Sequence, residues 1–214
     1  MDNRPDFSNY LVHFTKGRRA CSEASNNPAL SFAQGNARER LQHILEGKVI
    51  CASELCWIHE NAVCFTECVW SSLLAHASNY SSYGIGFSKE FIFNNGGNPV
   101  FYVRPSLYEY LKTADKAIKP FLTPLQPIYS KEKMTHYRVK HVDYSHEREW
   151  RVAHDLSFDY GDIAFVVVQS VLDLQLPQLS VLAKAIGWQK FVIMDNYKQI
   201  EQLWPMHKVD ICQK

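Results

Sequence analysis

The sequence predicts a mixed α+β protein, with about nine strands and five or six helices. Short runs rich in β-branched and aromatic residues alternate with amphipathic stretches, and no internal repeat or low-complexity segment is present. Of the 214 residues, 46% are hydrophobic, which is enough for a sizeable core. No stretch of Pro, Gly or Ser separates two halves. We therefore expect a single domain over residues 1–214, with two small domains as the alternative.

The first predicted elements are a strand over Tyr10 to Thr15 and a helix that begins after Asn36. Leu41, Ile44 and Leu45 share one face of that helix, Asn36 is a suitable N-cap, and Gly47 is a suitable C′ residue. Two buried strands follow, separated by a loop that contains Trp57 and His59; they cover residues 48–52 and 62–66.

In the middle of the chain, the apolar run 80–90 contains two glycines, which in a strand usually means that a backbone or a ligand approaches closely. A short helix, capped by Ser71 or Ser72, precedes this run. Further elements are a helix over 91–97, a strand over 99–103 and a helix over 106–116, before a proline-rich loop.

In the last third, residues 135–144 and 149–154 alternate in polarity as half-exposed strands do. Residues 162–169 form the most apolar run, which indicates a central strand. The tail repeats helix and strand twice, at 179–186, 191–194, 197–203 and 209–212.

Charge and hydropathy argue against a membrane partner. The longest apolar run is far shorter than the ~20 residues that span a bilayer, and the first ten residues resemble no signal peptide. The 23 basic and 22 acidic residues nearly cancel, so no overall charge attracts nucleic acid. The sequence still allows a local basic groove that binds a phosphate backbone, formed by Lys131, Lys133, Arg138 and Lys140. The simpler interpretation of these four residues is an ordinary solvated face. We expect a cytoplasmic protein.

The six cysteines are expected to be reduced thiols in that compartment. Four of them have the spacing C-x4-C-x7-C-x3-C, which lacks the two C-x2-C pairs of a zinc ribbon, so no metal is expected. Metal-dependent hydrolysis is a weaker alternative, and its ligands would be Cys64, Cys68, His59 and His76.

No strong catalytic or nucleotide-binding motif is present, so dispersed polar residues in apolar strands are the remaining candidates. The densest group is 147–151, where strand geometry would place Glu147, Glu149 and Arg151 on one face. Such a face is usually a salt-bridge ladder. Alternatively, one carboxylate stabilises a cationic, sugar-derived transition state in a cleft.

Six segments in a fixed order resemble the AbiGi-type abortive-infection family of phage-defence proteins. They are H-F-T, I-L-E-G, V-C-F-T-E, Y-G-I-G-F-S-K-E, N-P-V-F-Y-V and E-R-E-W-R-V, and they run from about His13 to Val152. The residues after Asp155 match no family pattern.

The same order resembles, more distantly, the ADP-ribosyltransferase fold of the His-Tyr-Glu class. That resemblance implies a split β-sandwich core over about 10–170, a C-terminal extension over about 171–214, and NAD as a substrate. It implies catalytic roles for His13, Tyr83 and Glu149. Further residues implied to bind NAD are Phe14, Thr15 and Gly84, and additional candidates are Glu147, Arg151 and Tyr80.

Two functions follow from these resemblances. The first is an NAD-dependent ADP-ribosyltransferase, or NAD glycohydrolase, that acts as a toxin-like effector on a protein or nucleic-acid acceptor. The alternative is a non-catalytic antitoxin or sensor that binds a partner protein, such as a cognate toxin, because a fold does not dictate a function.

Overall fold

The computed structural model describes residues 7–16, 35–55, 57–67, 81–111, 113, 115–129, 131, 141–196 and 199. These residues form a mixed α+β structure, which confirms the predicted fold class. The α-helices are α1 (Ala37–Gly47), α2 (Lys89–Asn94), α3 (Pro105–Leu111) and α4 (Pro177–Ile186). The strands are β1 (Tyr10–Phe14), β2 (Val49–Ile50), β3 (Ser53–Leu55), β4 (Glu60–Glu67), β5 (Gly84–Ser88), β6 (Asn98–Pro99), β7 (Phe101–Val103), β8 (Leu122–Pro124), β9 (Trp150–Val152), β10 (Leu156–Ser157), β11 (Ile163–Val168) and β12 (Phe191–Ile193).

The chain divides into two compact units, each assembled from separate segments. The first unit takes its residues from 1–13, 48–69 and 86–162, and the second from 14–47, 70–85 and 163–214. The single domain and the split β-sandwich stay predictions.

The first unit contains an antiparallel sheet in which β4 is the longest strand. β1 pairs with β4 (Val12 opposite Thr66), and β9 pairs with the other edge of β4 (Cys64 opposite Arg151). β6 continues the sheet beyond β9, and β3 forms a hairpin with the beginning of β4. Arg151 thus lies on a strand with neighbours on both sides.

A second group of elements in this unit is built on the parallel pair of β7 and β8. Val103, Tyr108 and Leu122 are its buried core, and Trp57 and Ile58 pack against them. Tyr108 of α3 also donates a hydrogen bond from its hydroxyl to the backbone carbonyl of Trp57. The inner face of α3 is therefore anchored to the strands below it.

The second unit contains the helix that the sequence predicts best. Asn36 accepts a hydrogen bond from Glu39 N (3.0 Å), and the Glu39 carboxylate accepts one from Asn36 N (2.9 Å), which is a capping box with Asn in the N-cap position. Leu41 and Leu45 are fully buried one turn apart. α1 contacts α4, and β11 pairs in parallel with β12.

Several element boundaries differ from the prediction, and at α1 and α2 the local reason is visible. α1 includes Gly47, and Lys48 adopts the left-handed conformation (φ 50°) that Gly47 was expected to adopt. α2 begins at Lys89 because the Ser88 hydroxyl accepts a hydrogen bond from Phe91 N (3.1 Å). α3 ends at Leu111 instead of continuing to 116.

The predicted strand 99–103 is divided at Val100. Val100 N donates to Glu149 O (3.0 Å), while β6 pairs with β9 and β7 pairs with β8. The strands on either side of Val100, β6 and β7, therefore pair with different strands.

Several predicted elements lie outside the described residues: the helix 71–77, most of the strand 135–144, the helix 197–203 except residue 199, and the strand 209–212. Among the helices that the structure describes, none is long and apolar enough to cross a membrane.

Candidate functional site

Glu149 and Arg151, two of the predicted site residues, form a buried ion pair in the first unit. Arg151 Nε donates to Glu149 Oε1 (2.8 Å), and Nη2 donates to Oε2 (2.7 Å), so both carboxylate oxygens accept from one guanidinium. The Arg151 side chain is fully buried and that of Glu149 is 9% exposed. Two of the three side chains predicted to share one face of a strand therefore meet, although Glu149 precedes β9, which begins at Trp150.

The remaining donors of Arg151 bind the segment around β8. Nη1 donates to the backbone carbonyls of Pro120 (2.7 Å) and Leu122 (3.0 Å), and Nη2 donates to Thr123 Oγ1 (2.6 Å). A guanidinium has five N–H donors, and these bonds account for all five. Burial acts to lower the pKa of Arg151, but its hydrogen bonds to Glu149 and the charge of that carboxylate raise the pKa above its ordinary value.

An aromatic side chain and a hydroxyl complete the surroundings of the pair. The Trp57 ring lies 5.1 Å from the guanidinium carbon of Arg151. Glu149 N donates to the Tyr102 hydroxyl (3.0 Å), which donates to Tyr144 O (3.1 Å). Burial raises the pKa of Tyr102 to about 12. This hydroxyl is therefore neutral at physiological pH and serves as a bridge between two backbone segments.

His13 and the ion pair lie on either side of Cys64 in β4. Nδ1 of His13 is 2.9 Å from the carbonyl oxygen of Cys64, which suits a ring protonated at Nδ1. The Cys64 side chain neighbours Glu149 and Arg151, and burial, followed by the charge of Glu149, raises the pKa of its thiol. The structure thus brings His13 and Glu149 to the same strand, with His13 in the geometry of a core histidine.

Glu147 does not occupy the strand position that was predicted for it. It ends a 3-10 turn over Ser145–Glu147, and Arg148 follows in the left-handed conformation (φ 45°). Because this turn interrupts the alternation of side chains, β9 begins only at Trp150. The second carboxylate of the predicted face therefore lies in a turn, and the neighbouring Arg148 Nη1 lies 3.5 Å from Glu67.

Tyr83 belongs to the second unit, where its hydroxyl binds Asp173. Both carboxylate oxygens of Asp173 lie 3.2 Å from this hydroxyl. Asp173 also accepts from Ser170 N (3.0 Å) and lies 3.8 Å from Arg38. Burial, followed by the charge and hydrogen bond of Asp173, raises the pKa of Tyr83 to about 12. The hydroxyl is therefore held as a neutral donor.

Two of the other residues predicted to bind NAD, Phe14 and Thr15, are distant from Tyr83 in sequence but belong to the same unit. Thr15 is 1% exposed; its hydroxyl donates to Ala37 O (2.7 Å) and its backbone N–H to Tyr83 O (2.9 Å). Phe14 and Gly84 are buried in the same unit, whereas Tyr80 lies outside the described residues. Thr15 therefore ties the beginning of α1 to the residue before β5.

The sequence did not indicate the partners that hold these groups. Thr123, which binds Arg151, and Asp173, which binds Tyr83, lie 28 and 90 residues away along the chain. No local pattern encodes such a pairing, because a single sequence shows spacing along the chain and not proximity in space.

Metal ligands do not converge in the part of the chain that the structure describes. No group of three or more His, Cys, Asp or Glu side chains there could hold an ion, and Cys51 and Cys64 are free thiols. Cys68 and His76, two of the alternative ligands, lie outside that part. The absence of a metal stays a prediction.

Comparison with protein families decides the relationship of the chain. The sequence model of the AbiGi family, described as an abortive phage resistance protein and antitoxin, matches residues 36–172. The chain belongs to the AbiGi family. No curated protein and no solved structure gives a significant match.

The AbiGi match confirms the predicted family and corrects the predicted function. It begins at Asn36 and continues to Leu172, beyond the predicted limit at Val152, so it includes β10 and β11. The function predicted first, an NAD-dependent ADP-ribosyltransferase or NAD glycohydrolase toxin, is wrong, because AbiGi is a family of antitoxins. NAD binding and the roles assigned to His13, Tyr83 and Glu149 stay predictions of the sequence.

Proposed function

We propose that this AbiGi protein is the antitoxin of a two-gene abortive-infection system and that it neutralises its toxin by binding it. The observation that carries this proposal is the family match, which covers residues 36–172 and therefore most of the described elements. The cognate toxin is accordingly the expected partner.

The geometry around Glu149 supports a binding protein rather than an enzyme. A catalytic carboxylate has to face the reacting atoms, yet both oxygens of Glu149 accept hydrogen bonds from Arg151, and the side chain is 9% exposed. The pair holds residues 120–123 next to β9. The contacts of the Glu149–Arg151 pair within the first unit thus support a structural role for the pair.

Co-expression tests this function directly. The product of the adjacent gene is induced in a bacterial host, alone and together with this chain, and growth is followed. We expect the adjacent gene product to stop growth, and the chain to restore growth and to co-purify with it. Leu41→Asp is the control, because a carboxylate at a fully buried position of α1 prevents folding and should abolish both effects.

Two outcomes would overturn the proposal. Growth arrest caused by this chain alone would make it a toxin. Rescue of growth without any complex between the purified proteins would show that neutralisation does not use direct binding.

A further inference from the structure

We infer that the outer face of α3, together with the turn that follows β8, is the surface that docks an acidic patch of the partner protein. We call it the α3 surface and define it by Leu107, Tyr110, Ile128 and Tyr129. The inference rests on the proposed function, since it takes the toxin as the occupant.

α3 carries two buried or packed apolar side chains and two that are exposed to solvent. Tyr108 is 3% exposed and Leu111 packs on the buried cluster around Leu122. Leu107 and Tyr110, three residues apart and therefore neighbours on the helix, are 44% and 76% exposed. Both residues therefore present apolar surface to solvent beside the part of the helix that packs on the core.

The turn at 128–129 and α3 both follow strands that end at the same edge of the β7–β8 pair. Parallel strands place their carboxyl ends at one edge, and α3 begins two residues after Val103. Leu125 N donates to Val103 O (2.8 Å), which fixes the beginning of the loop after β8 at that edge. Ile128 and Tyr129, at the end of this loop, are 79% and 83% exposed.

Exposed apolar side chains are concentrated in this region of the described residues. Single exposed hydrophobic residues are normal on a protein surface, whereas a cluster marks an interaction site. Of the fourteen large hydrophobic side chains that are exposed in the described part of the chain, six lie between residues 101 and 129. Two of them are tyrosines with more than three quarters of the side chain exposed, and tyrosine is enriched where binding energy is concentrated.

The charge around the α3 surface specifies the chemistry of the partner. Residues 104–131 contain five basic and two acidic residues, although the whole chain has a net charge of only +1. Lys116 and Lys119 lie in the segment that connects α3 to β8. An apolar surface in a basic stretch of the chain is complementary to an apolar patch with an acidic rim on the toxin.

The buried ion pair gives this surface a rigid support. Arg151 donates hydrogen bonds to the carbonyls of Pro120 and Leu122. These two residues lie at the beginning of the segment 120–129, which ends at Tyr129. A surface held in its bound conformation loses less conformational entropy on association.

The first test measures binding of the purified adjacent gene product by calorimetry. We expect the double variant Tyr110→Ser/Tyr129→Ser to bind at least about ten-fold more weakly than the wild type. Phe93→Ser is the matched control, since Phe93 is 62% exposed on α2, outside the α3 surface, and its affinity should stay within about two-fold. Unchanged melting temperatures show that the variants fold.

The second test addresses the basic stretch. Lys116→Glu/Lys119→Glu should weaken binding mainly through a slower association rate, and should reduce the dependence of that rate on salt. Lys184→Glu, an exposed lysine of α4, makes a single charge reversal elsewhere and should leave the rate unchanged.

The outcomes separate the two proposals. If the wild-type chain does not bind the adjacent gene product, the proposed function fails. If the wild type binds and both double variants bind as tightly, the α3 surface is wrong while the antitoxin function stands.

Discussion

Arg151 and Glu149 are joined by two parallel hydrogen bonds of 2.8 and 2.7 Å, and the guanidinium has no exposed surface. Removing water from both charges costs free energy, which the attraction between them and the three further hydrogen bonds of Arg151 offset. The pair connects β9 to β8, so it links the sheet of the first unit to the strand pair that supports α3.

Glu149→Gln should lower the free energy of unfolding by about 3–5 kcal/mol, because it leaves the buried Arg151 charge without a counterion. Urea denaturation measures the change. Glu54→Gln is the control: Glu54 pairs with His59 in an exposed position, and its loss should cost less than about 1 kcal/mol. Equal urea midpoints for the two variants would contradict the structural role of the pair.

The same pair should be replaceable by apolar side chains of similar size. Arg151→Met/Glu149→Leu should recover much of the stability that Glu149→Gln loses, because no uncompensated charge stays in the interior. A double variant less stable than Glu149→Gln would show that the hydrogen bonds to Pro120, Leu122 and Thr123 dominate.

Asn36→Ala should destabilise the protein by about 1 kcal/mol, since it removes the acceptor for Glu39 N at the beginning of α1. Thermal or urea unfolding gives the value. Gln42→Ala changes a residue of the same helix that bonds only an exposed carboxylate, that of Glu46, and should have little effect. If Gln42→Ala lowers the free energy of unfolding by as much as Asn36→Ala, the effect comes from the helix surface and not from the cap.

Gly97→Ala should destabilise the protein by about 1–3 kcal/mol through steric overlap. A methyl group at this position would lie 2.4 Å from Ile92 Cγ2 and 2.6 Å from Ile92 O, where the chain turns back after α2. Gly161→Ala is the matched control, because no atom lies within 4 Å of the methyl group that it adds. If both variants have the same melting temperature, the inferred steric overlap between a methyl group at position 97 and Ile92 is wrong.

The chain has eleven tyrosines, and Tyr83 should contribute a component that ionises near pH 12 in an ultraviolet absorbance titration. The pKa of a tyrosine in an unfolded chain is about 10, so the unfolded state loses this proton first. The contribution of Tyr83 to the free energy of unfolding is therefore fully present below about pH 10 and is lost as the pH rises through about 12.

Tyr83→Phe should reduce the component near pH 12, which Tyr102 shares. A titration of Tyr83→Phe that is identical to the wild type would contradict the contact between Tyr83 and Asp173.

Elements that depend on neighbours along the chain could be predicted from the sequence. The cap at Asn36 and the buried positions Leu41 and Leu45 follow from residues three to four apart, and the apolar run 162–169 indicated β11. The ordered segments from I-L-E-G to E-R-E-W-R-V also indicated the AbiGi family, whereas H-F-T at His13 lies outside the family match. They did not determine the function, because no single motif among them distinguishes a toxin from an antitoxin. The description of the matched family makes that distinction.

Only the tertiary structure decided what the polar residues of these segments contact. The fold placed Glu149 against Arg151, and it supplied Arg151 with acceptors at β8, about thirty residues away in sequence. The exposure of Leu107 and Tyr110 also depended on which side of α3 packs against Leu122. Helix caps and apolar periodicity are local interactions that the sequence displays directly, whereas burial and ion pairing depend on long-range contacts that exist only after the chain has folded.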